Sequence, residues 1–373
     1  MAATDPTPPG ALLAAALALP GVALPLAAHA QSVPDAAFVQ FKYVDYRDWQ
    51  PGARRMRVDN PGFYALKPLS DSLFVEGSIV YDGMSGASPL FFDALSGASG
   101  EGVRDYRTAG DLKVTKVFDR FAVAVGGAYS HERDYISRAG TIEVRAWTED
   151  RNRTFAFAVS GAADRIHTES GAADHERKHV LDVLVGITQV VNPTLIVQSN
   201  LTYSRGHGYF TDPYKLLDNR PDHRRVVAWL TRANQHFPDL DGTLKVGYRY
   251  LDDSFGADSH MLEAAWHQPL PHGWSVTPGL RYFTQKAASF FYGPPIGRGF
   301  RPGEPYTADA RLSAYGALTP GLLVARQFAD GWVADLKVEF YRQKASWRAG
   351  GDGSPGILPL SARWIEVGVG RSF

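Results

Sequence analysis

The stretch His175-Glu176-Arg177-Lys178-His179 matches the H-E-x-x-H pattern of zinc proteases. That chemistry requires a helix, because helical spacing places residues i and i+4 on one face, one turn apart. Here the motif leads into residues 180–190, whose alternating apolar residues predict a strand. In a strand the two imidazoles would lie about 13 Å apart, too far to share one metal ion. We interpret the match as a chance occurrence and predict no metal ligands and no cofactor.

Other catalytic patterns give no stronger signal. The sequence contains no G-x-S-x-G motif, P-loop or dinucleotide fingerprint. It also has no cysteine, which excludes structural disulfides, thiol catalysis and cysteine-ligated zinc. His167, His207, His260 and Ser254 fall near predicted strand ends, where a hydrolase site could assemble from separate strands. Their distribution is what chance would give, so a non-enzymatic protein is favoured and an outer-membrane hydrolase is kept as an alternative.

The first thirty residues differ in composition from the rest of the chain. An Ala/Leu-rich run over residues 11–28 ends in Ala28-His29-Ala30, which indicates a signal peptide over residues 1–30 and a mature chain over residues 31–373. The first ten residues carry no Lys or Arg, unlike a usual signal peptide. A retained anchor is the alternative, but Pro20, Gly21 and Pro25 would disrupt a spanning helix.

From about residue 36 onward the dominant hydrophobic period is two. Leu244, Val246 and Tyr248, for example, alternate with Lys245 and Gly247. One face of each segment is apolar or aromatic, and the other is small, polar or charged, which is typical of strands in a membrane barrel. The formal charge is zero, with 39 basic and 39 acidic residues, so there is no electrostatic case for nucleic-acid binding.

Short and long connections largely alternate along the chain. Seven tight-turn sequences, such as Asn192-Pro193 and Asp330-Gly331, separate longer connections rich in Gly, Pro and charge. With eight longer connections, this predicts an all-β fold: a transmembrane antiparallel β-barrel of about sixteen strands, with short periplasmic turns and longer external loops. Fourteen strands remain the alternative, because the first hairpin, residues 38–69, has the weakest pattern. A periplasmic β-sandwich or solenoid fits this succession of hairpins less well.

Aromatic residues collect near the short turns and at the last residue. Trp274 and Trp332 follow short turns, and Phe373 closes an alternating strand. Such rings form a girdle at the membrane interface, and a terminal aromatic resembles the signal that outer-membrane proteins present to the barrel-insertion machinery. We therefore expect a bacterial outer-membrane location, with outer-membrane lipids and the insertion machinery as partners.

Several longer stretches of the sequence are distinctive. They are Ser85-Gly86-Ala87-Ser88-Pro89 with Ser96-Gly97-Ala98-Ser99, Asp105-Tyr106-Arg107 with Phe118-Asp119-Arg120, Leu201-Thr202-Tyr203-Ser204, residues 208–215, and Tyr248-Arg249-Tyr250 with Asp253-Ser254-Phe255-Gly256. From about residue 37 to Phe373 the chain thereby resembles a family of bacterial proteins grouped as domain of unknown function DUF3570. The resemblance implies an envelope location and a barrel fold but supplies no catalytic residues. It also implies an association with periplasmic redox-pathway proteins, which nothing in these residues shows.

The charged residues expected inside the barrel carry both signs. By strand parity, the candidates for lumen-facing charges are Glu76, Lys113, Glu143, Arg145, Lys245, Arg249, Arg281, Asp335, Lys337 and Glu339. They would line either a water-filled channel with weak ion selectivity or a lumen braced by ion pairs. The sequence favours neither over the other.

Two loops carry candidate contacts. In residues 83–102, the apolar side chains Leu90, Phe91, Phe92 and Leu95 would either fold into the barrel mouth or pack against neighbouring external loops. The loop after residue 208 offers Tyr209, Asp212, Tyr214 and Lys215 as possible ligand contacts, although such a loop is more often only a hairpin cap.

The function favoured by the sequence is that of an outer-membrane pore or passive conduit. A closed structural barrel that serves an envelope assembly, possibly redox-linked through the family resemblance, is the second hypothesis, and the hydrolase is the third.

Overall fold

The computed structural model describes residues 31–86, 103–168, 171–215 and 217–373. The expected signal peptide, residues 1–30, lies outside the described residues, and so do Leu90, Phe91, Phe92 and Leu95.

Sixteen antiparallel strands form one closed barrel in which each strand pairs with its neighbours in sequence and β1 pairs with β16. The prediction of about sixteen strands is confirmed, and the fourteen-strand alternative is wrong because the first hairpin, β1–β2, is fully formed. The strands are β1 (Phe38–Gln50), β2 (Ala53–Ser70), β3 (Leu73–Gly86), β4 (Val103–Val117), β5 (Phe121–His131), β6 (Tyr135–Trp147), β7 (Arg153–Ile166), β8 (Glu176–Asn192), β9 (Leu195–Gly208), β10 (His223–Phe237), β11 (Gly242–Asp253), β12 (Ser259–Pro269), β13 (Trp274–Gln285), β14 (Tyr315–Gln327), β15 (Trp332–Lys344) and β16 (Leu360–Ser372).

The period of two explains the two faces of the wall. Val185, Leu201 and Trp229 are register partners on β8, β9 and β10, and all three are exposed on the outside of the barrel. The residues that precede and follow each of them, such as Asn200 before Leu201, point to the lumen because successive side chains alternate across a strand. Side chains on the outer face are mostly apolar, and those on the inner face are small, polar or charged.

The two ends of the barrel differ in their connections. Seven short connections lie at one end, here called the short-turn end, where Arg151, Asp241 and His272 adopt positive φ angles that tight turns require. The other end, the long-loop end, carries the remaining connections of the described chain. Three of these, residues 51–52, 132–134 and 254–258, are no longer than the longest turn at the short-turn end, residues 148–152, so the expectation of eight longer connections is wrong in number.

Four single helical turns lie between strands in the part of the chain that the structure describes. They are the 3-10 helices Pro238–Leu240, Pro271–Gly273, Ala310–Leu312 and Ala345–Trp347. None of the helices in the described ranges has the length and apolar character needed to cross a membrane.

Aromatic rings mark the short-turn end of the outer surface. Phe118 and Phe121 stack with ring centroids 4.4 Å apart. The Arg326 guanidinium lies over Trp274, and the Arg371 guanidinium lies over Trp332 and Phe373. An exposed aromatic belt with amphipathic arginines is the arrangement expected at a membrane interface.

Candidate functional site

The barrel lumen holds the charged residues singled out in the sequence. All ten share the strand face opposite the exposed apolar side chains, which is the lumen face. The structure divides them into two groups by their partners and their burial. One group is paired and half-buried or buried, and the other is exposed and has few partners.

The first group lies mainly on β15, β16 and β1–β4, here called the paired wall. The Lys113 Nζ lies 2.7 Å from a Glu76 oxygen, and the Tyr64 hydroxyl donates to the other Glu76 oxygen at 2.7 Å. Lys42 lies 2.6 Å from Glu366 and 3.6 Å from Asp335. These pairs neutralise charges that are largely shielded from water.

Glu339 on β15 is the most connected carboxylate of this wall. Its side chain accepts a hydrogen bond from Arg281 at 2.9 Å and one from the Trp364 indole N–H, and it lies 3.0 Å from the Lys337 ammonium. Glu339 is only 7% exposed, so these contacts replace water almost completely. A smaller pair of the same kind, Glu143 and Arg145, lies on β6 with 2.5 Å between the charged atoms.

The second group lies on the lumen face of β10–β13, here called the basic wall. Lys245 and Arg249 are exposed, and among the described residues no carboxylate lies within ion-pair distance of either. Arg249 instead contacts the Met261 sulfur at 3.5 Å. Ile196, on the same face of neighbouring β9, is 43% exposed. Water therefore reaches this part of the lumen.

Loops cover the long-loop end of the lumen above the basic wall. We call them the mouth cap: residues 209–215, 217–222, 254–258, 286–314 and 345–359. Its apolar core contains Phe255, Phe290 and Leu312, with Phe210 packed against it. The lumen-facing Gln285 side chain donates to the carbonyls of Arg311 and Ser313 at 2.8 and 2.7 Å, so the segment before β14 folds inward over the strands.

An ionic cluster holds the mouth cap together. Asp309, which is 0% exposed, accepts hydrogen bonds from Arg220 at 2.8 Å and from Arg311. Burial alone would raise the pKa of Asp309, but the charges of Arg311, Lys215 and Arg220 outweigh it and hold that pKa well below its ordinary value. Burial raises the pKa of Asp218, although Arg220 lies 2.8 Å away. The cluster ties the 209–222 loop to the 286–314 loop.

The four loop residues proposed as ligand contacts lie in or beside this cluster. Asp212 binds Arg311 at 2.7 Å, and burial lowers the pKa of Lys215 despite the neighbouring carboxylate of Asp309. Burial raises the pKa of Tyr209 to about 12, whereas Tyr214 is 37% exposed. Asp212 therefore braces one loop of the cap against the other, and of the four side chains Tyr214 is the one open to solvent.

The main feature that sequence reasoning missed is the inward course of residues 286–314. The partners of Asp309 and Arg311 are 89 and 99 residues away in sequence, and no local pattern signals such contacts. A weak signal existed in the three consecutive aromatic residues Phe290, Phe291 and Tyr292, which are more typical of a packed segment than of a solvated loop.

The histidines and the serine considered for hydrolysis have separate neighbours. His260 contacts the Tyr248 hydroxyl at 2.8 Å, and the Ser254 hydroxyl accepts from the Arg225 N–H at 2.9 Å. His207 lies against His223, with ring centroids 4.3 Å apart. Residues 176–179 of the H-E-x-x-H string are extended in β8, and His175 precedes the strand with a positive φ, so the string is not helical. These contacts do not assemble a Ser-His-Asp site from the four residues.

Comparison with solved structures shows the fold. The chain is similar to a bacterial polysaccharide outer membrane secretin (7% identity, 91% of this chain and 99% of that chain covered, TM-score 0.52). It is also similar to CdiB from Acinetobacter baumannii (8% identity, 88% and 60% covered, TM-score 0.50). For the siderophore receptor PirA from Pseudomonas aeruginosa the values are 10% identity, 90% and 80% covered, and a TM-score of 0.46. The chain spans 60% of the length of CdiB. The protein is thus a β-barrel of the outer-membrane type.

Comparison with protein families adds a match that covers most of the chain. No curated protein matches the sequence. The family model for a protein of unknown function, DUF3570, matches residues 93–174 and 166–364. Because the matched residues make up well over half of the sequence, the chain belongs to the DUF3570 family.

Proposed function

We propose that this protein is an outer-membrane channel whose external mouth is narrowed by the mouth cap. The observation that carries the proposal is the exposure of Lys245 and Arg249 inside a closed barrel, since these charges need water around them. A sixteen-stranded barrel is wide enough to leave an aqueous channel between its walls.

The outer surface supports a membrane setting. Exposed apolar side chains such as Leu201, Leu280 and Leu336 would contact outer-membrane lipids, and the aromatic belt would lie at the interface. In this orientation the short-turn end faces the periplasm and the long-loop end faces outward. Export through a signal peptide over residues 1–30, and recognition of the last strand by the insertion machinery, complete the proposal.

The basic wall gives the channel a preference for anions. Besides the ion pair of Arg224 with Asp253, the lumen face of β10–β13 carries the cations Arg232, Lys245, Arg249 and Arg281 and the carboxylate Glu263. Glu263 lies 3.8 Å from Arg232, and Arg281 is compensated by Glu339. The two remaining cations leave an excess of positive charge in the water-accessible part of the lumen, which attracts anions.

Conductance in planar bilayers tests the channel and its constriction together. The wild type should conduct, and replacing residues 288–312 with a short Gly-Ser linker should raise the conductance. The linker can close because Gln285 and Tyr315 are register partners on adjacent strands. As a matched control, Arg301→Ser with Glu304→Ser removes an exposed ion pair of the same loop and should leave conductance unchanged.

Ion selectivity tests the role of the basic wall. Lys245→Gln with Arg249→Gln should shift the reversal potential in a KCl gradient toward zero, because the uncompensated charge is gone. Lys116→Gln, on the outer surface at the short-turn end, is the control and should keep the wild-type potential. An unchanged potential in the double variant would refute the anion preference.

The mouth cap specifically favours one alternative, a closed barrel that serves as a scaffold of an envelope assembly. Its apolar core and the Asp309–Arg220 ion pair are buried, as they would be in a structural element. Absence of conductance from both the wild type and the linker variant, in folded protein, would select this alternative. A periplasmic redox partner would then be the first one to seek, on the family resemblance alone.

A further inference from the structure

The outer surface of the long-loop end carries two clusters of two histidines and one aspartate. One contains His207, Asp222 and His223, and the other contains His167, Asp174 and His175. Within each cluster the potential ligand atoms all lie within 4.8 Å of one another. All six side chains are exposed. His207 and His223 share the outer strand face with Leu201 and Trp229, so the inference below does not depend on the channel proposal.

The backbone fixes the first cluster. His207 on β9 and His223 on β10 are direct register partners. The Gly208 N–H donates to the Asp222 carbonyl at 2.8 Å, so the neighbouring pair His207–His223 is a non-hydrogen-bonded pair. Side chains approach most closely at such pairs, where the Cα atoms are about 4.5 Å apart. The two rings, with centroids 4.3 Å apart, thus need only side-chain rotation to direct one nitrogen each at a common point.

The carboxylate of the first cluster is held beside these rings. Asp222 is anchored through its backbone to β9 and lies 2.6 Å from His223 Nδ1 through its side chain. Gly208 permits the arrangement, since it has φ +118° and a Cβ there would lie 2.1 Å from the Arg177 carbonyl oxygen.

A third imidazole continues the row. His179 on β8 is the register partner of His207, so His179, His207 and His223 occupy one line across three adjacent strands. The two histidines of the H-E-x-x-H string therefore separate: His179 lies beside the first cluster, and His175 belongs to the second. The string cannot bind metal as a zinc-protease helix does, but each of its histidines lies at a different cluster.

The charge around the first cluster selects the kind of cation. Arg177, Arg205 and Arg225 are on the same outer face, and Arg225 is offset by Asp252 at 3.4 Å. A hard cation such as Ca²⁺ or Mg²⁺ binds through oxygen ligands and charge, and here it would find one carboxylate among arginines. A borderline cation gains from the nitrogen ligands, and imidazoles suit zinc, copper and nickel.

We propose that His207, Asp222 and His223 form a binding site for a divalent transition-metal ion of the zinc and copper class at the external rim of the barrel. Two imidazoles and one carboxylate leave an open coordination position for water or for a group of an incoming ligand. A bound ion would tie β9 to β10 at the point where the 209–222 loop of the mouth cap begins and ends. His167, Asp174 and His175 offer the same ligand set on a loop, where Asp174 lies 3.0 Å from His167 and 3.5 Å from His175.

Metal titration of the untagged, folded full-length mature barrel tests the site. Zn²⁺ binding measured by calorimetry should weaken at least about tenfold in His207→Gln and in His223→Gln. His260→Gln, a histidine of the same outer face that contacts Tyr248 instead, is the matched control and should bind as the wild type does. His175→Gln removes a ligand of the second cluster and should leave the first cluster's affinity intact.

Electron paramagnetic resonance with Cu²⁺ gives a readout that a folding defect would not mimic. With the second cluster removed by His175→Gln, the spectrum should show coupling to two imidazole nitrogens. Adding His223→Gln should reduce the coupling to one nitrogen, while circular dichroism shows an intact barrel. Unchanged coupling in that variant, wild-type Zn²⁺ affinity in the His207 and His223 variants, or equal competition by Mg²⁺ would each overturn the proposal.

Discussion

The paired wall and the basic wall belong to one lumen and are built from the same alternation of strand residues, yet they treat charge in opposite ways. On the paired wall, Lys113 and Glu339 are buried and each has a partner within 3.0 Å. On the basic wall, Lys245 and Arg249 are exposed and have no carboxylate partner among the described residues.

The difference shows where water is present. A charge without a partner is tolerated only where water solvates it, whereas a charge removed from water must be paired and hydrogen-bonded. Partner and exposure vary together across this lumen, so the basic wall marks the hydrated side and the paired wall marks the braced side. We therefore expect similar substitutions to lower the free energy of unfolding by different amounts on the two walls.

The largest effect is expected for Glu339→Ala on the paired wall. The substitution leaves Arg281 and Lys337 without their shared partner, and breaking a buried pair in this way costs about 3–5 kcal/mol. Lys245→Ala on the basic wall should change the free energy of unfolding by less than about 0.5 kcal/mol, because an exposed unpaired side chain is removed. Urea unfolding in lipid vesicles measures the free energy of unfolding of both variants. Equal losses of free energy in the two variants would mean that the two walls do not differ in hydration.

The second prediction sharpens the contrast between the basic wall and the outer surface directly behind it. Val246 follows Lys245 in sequence and is exposed on the outer face. Val246→Arg should destabilise the barrel by about 2–4 kcal/mol, the cost of placing a guanidinium in the middle of the lipid-facing band. Thr243→Arg, on the lumen face of the same strand, is the control and should cost much less. Urea unfolding in lipid vesicles measures both variants. Equal losses of free energy of unfolding at the two positions would contradict the assignment of Val246 to the lipid face and Thr243 to the lumen face.

The smallest expected effect is a loss of stability of the mouth cap, which covers the basic wall, as the pH is lowered. Because the folded-state pKa of Asp309 lies below its ordinary value, its stabilisation is complete above about pH 4 and is lost as the pH falls toward the folded-state pKa. The raised pKa of Asp218 acts in the opposite sense and offsets part of the loss. The cap should therefore loosen in strong acid, below about pH 4.

A single introduced cysteine can report on the cap, since the chain has none of its own. Ala310→Cys places a thiol at a buried position, and a disulfide reagent that reacts in acid should label it faster below about pH 4 than at pH 6. Asp309→Asn should give fast labelling already at neutral pH. If the Ala310→Cys variant with Asp309 intact is labelled at the same rate at every pH, Asp309 does not hold the cap closed.

The barrel could be predicted from the sequence because its determinants are local. Residues 244–250 alternate with a period of two, and Asn192-Pro193 marks a turn between two such segments, so the strand number followed from a short-range pattern. The length of three connections did not follow, because residues 51–52, 132–134 and 254–258 lie between strands that extend further than their sequence patterns indicated.

The mouth cap and the difference between the walls could not be predicted, because they depend on distant contacts. Parity places Lys245 and Lys337 on one face, but only the fold shows that Lys337 has Glu339 beside it while Lys245 has open lumen in front of it. In the same way, His207 and His223 are sixteen positions apart in a sequence whose loop could have had many shapes. Their proximity follows from the register of β9 and β10.

The seam between β1 and β16 has a consequence for how the molecule forms. Each of the other strand pairs joins neighbours in sequence, whereas the seam pairs Phe38 with Ser372. Bringing such distant segments together carries the largest loop-closure entropy in the fold, so hairpins can assemble early and the circle can close only at the end. Until it closes, β1 and β16 present unpaired backbone edges that are prone to aggregate. Substitutions at the seam should therefore lower the yield of folded barrel more than equal substitutions within any single hairpin.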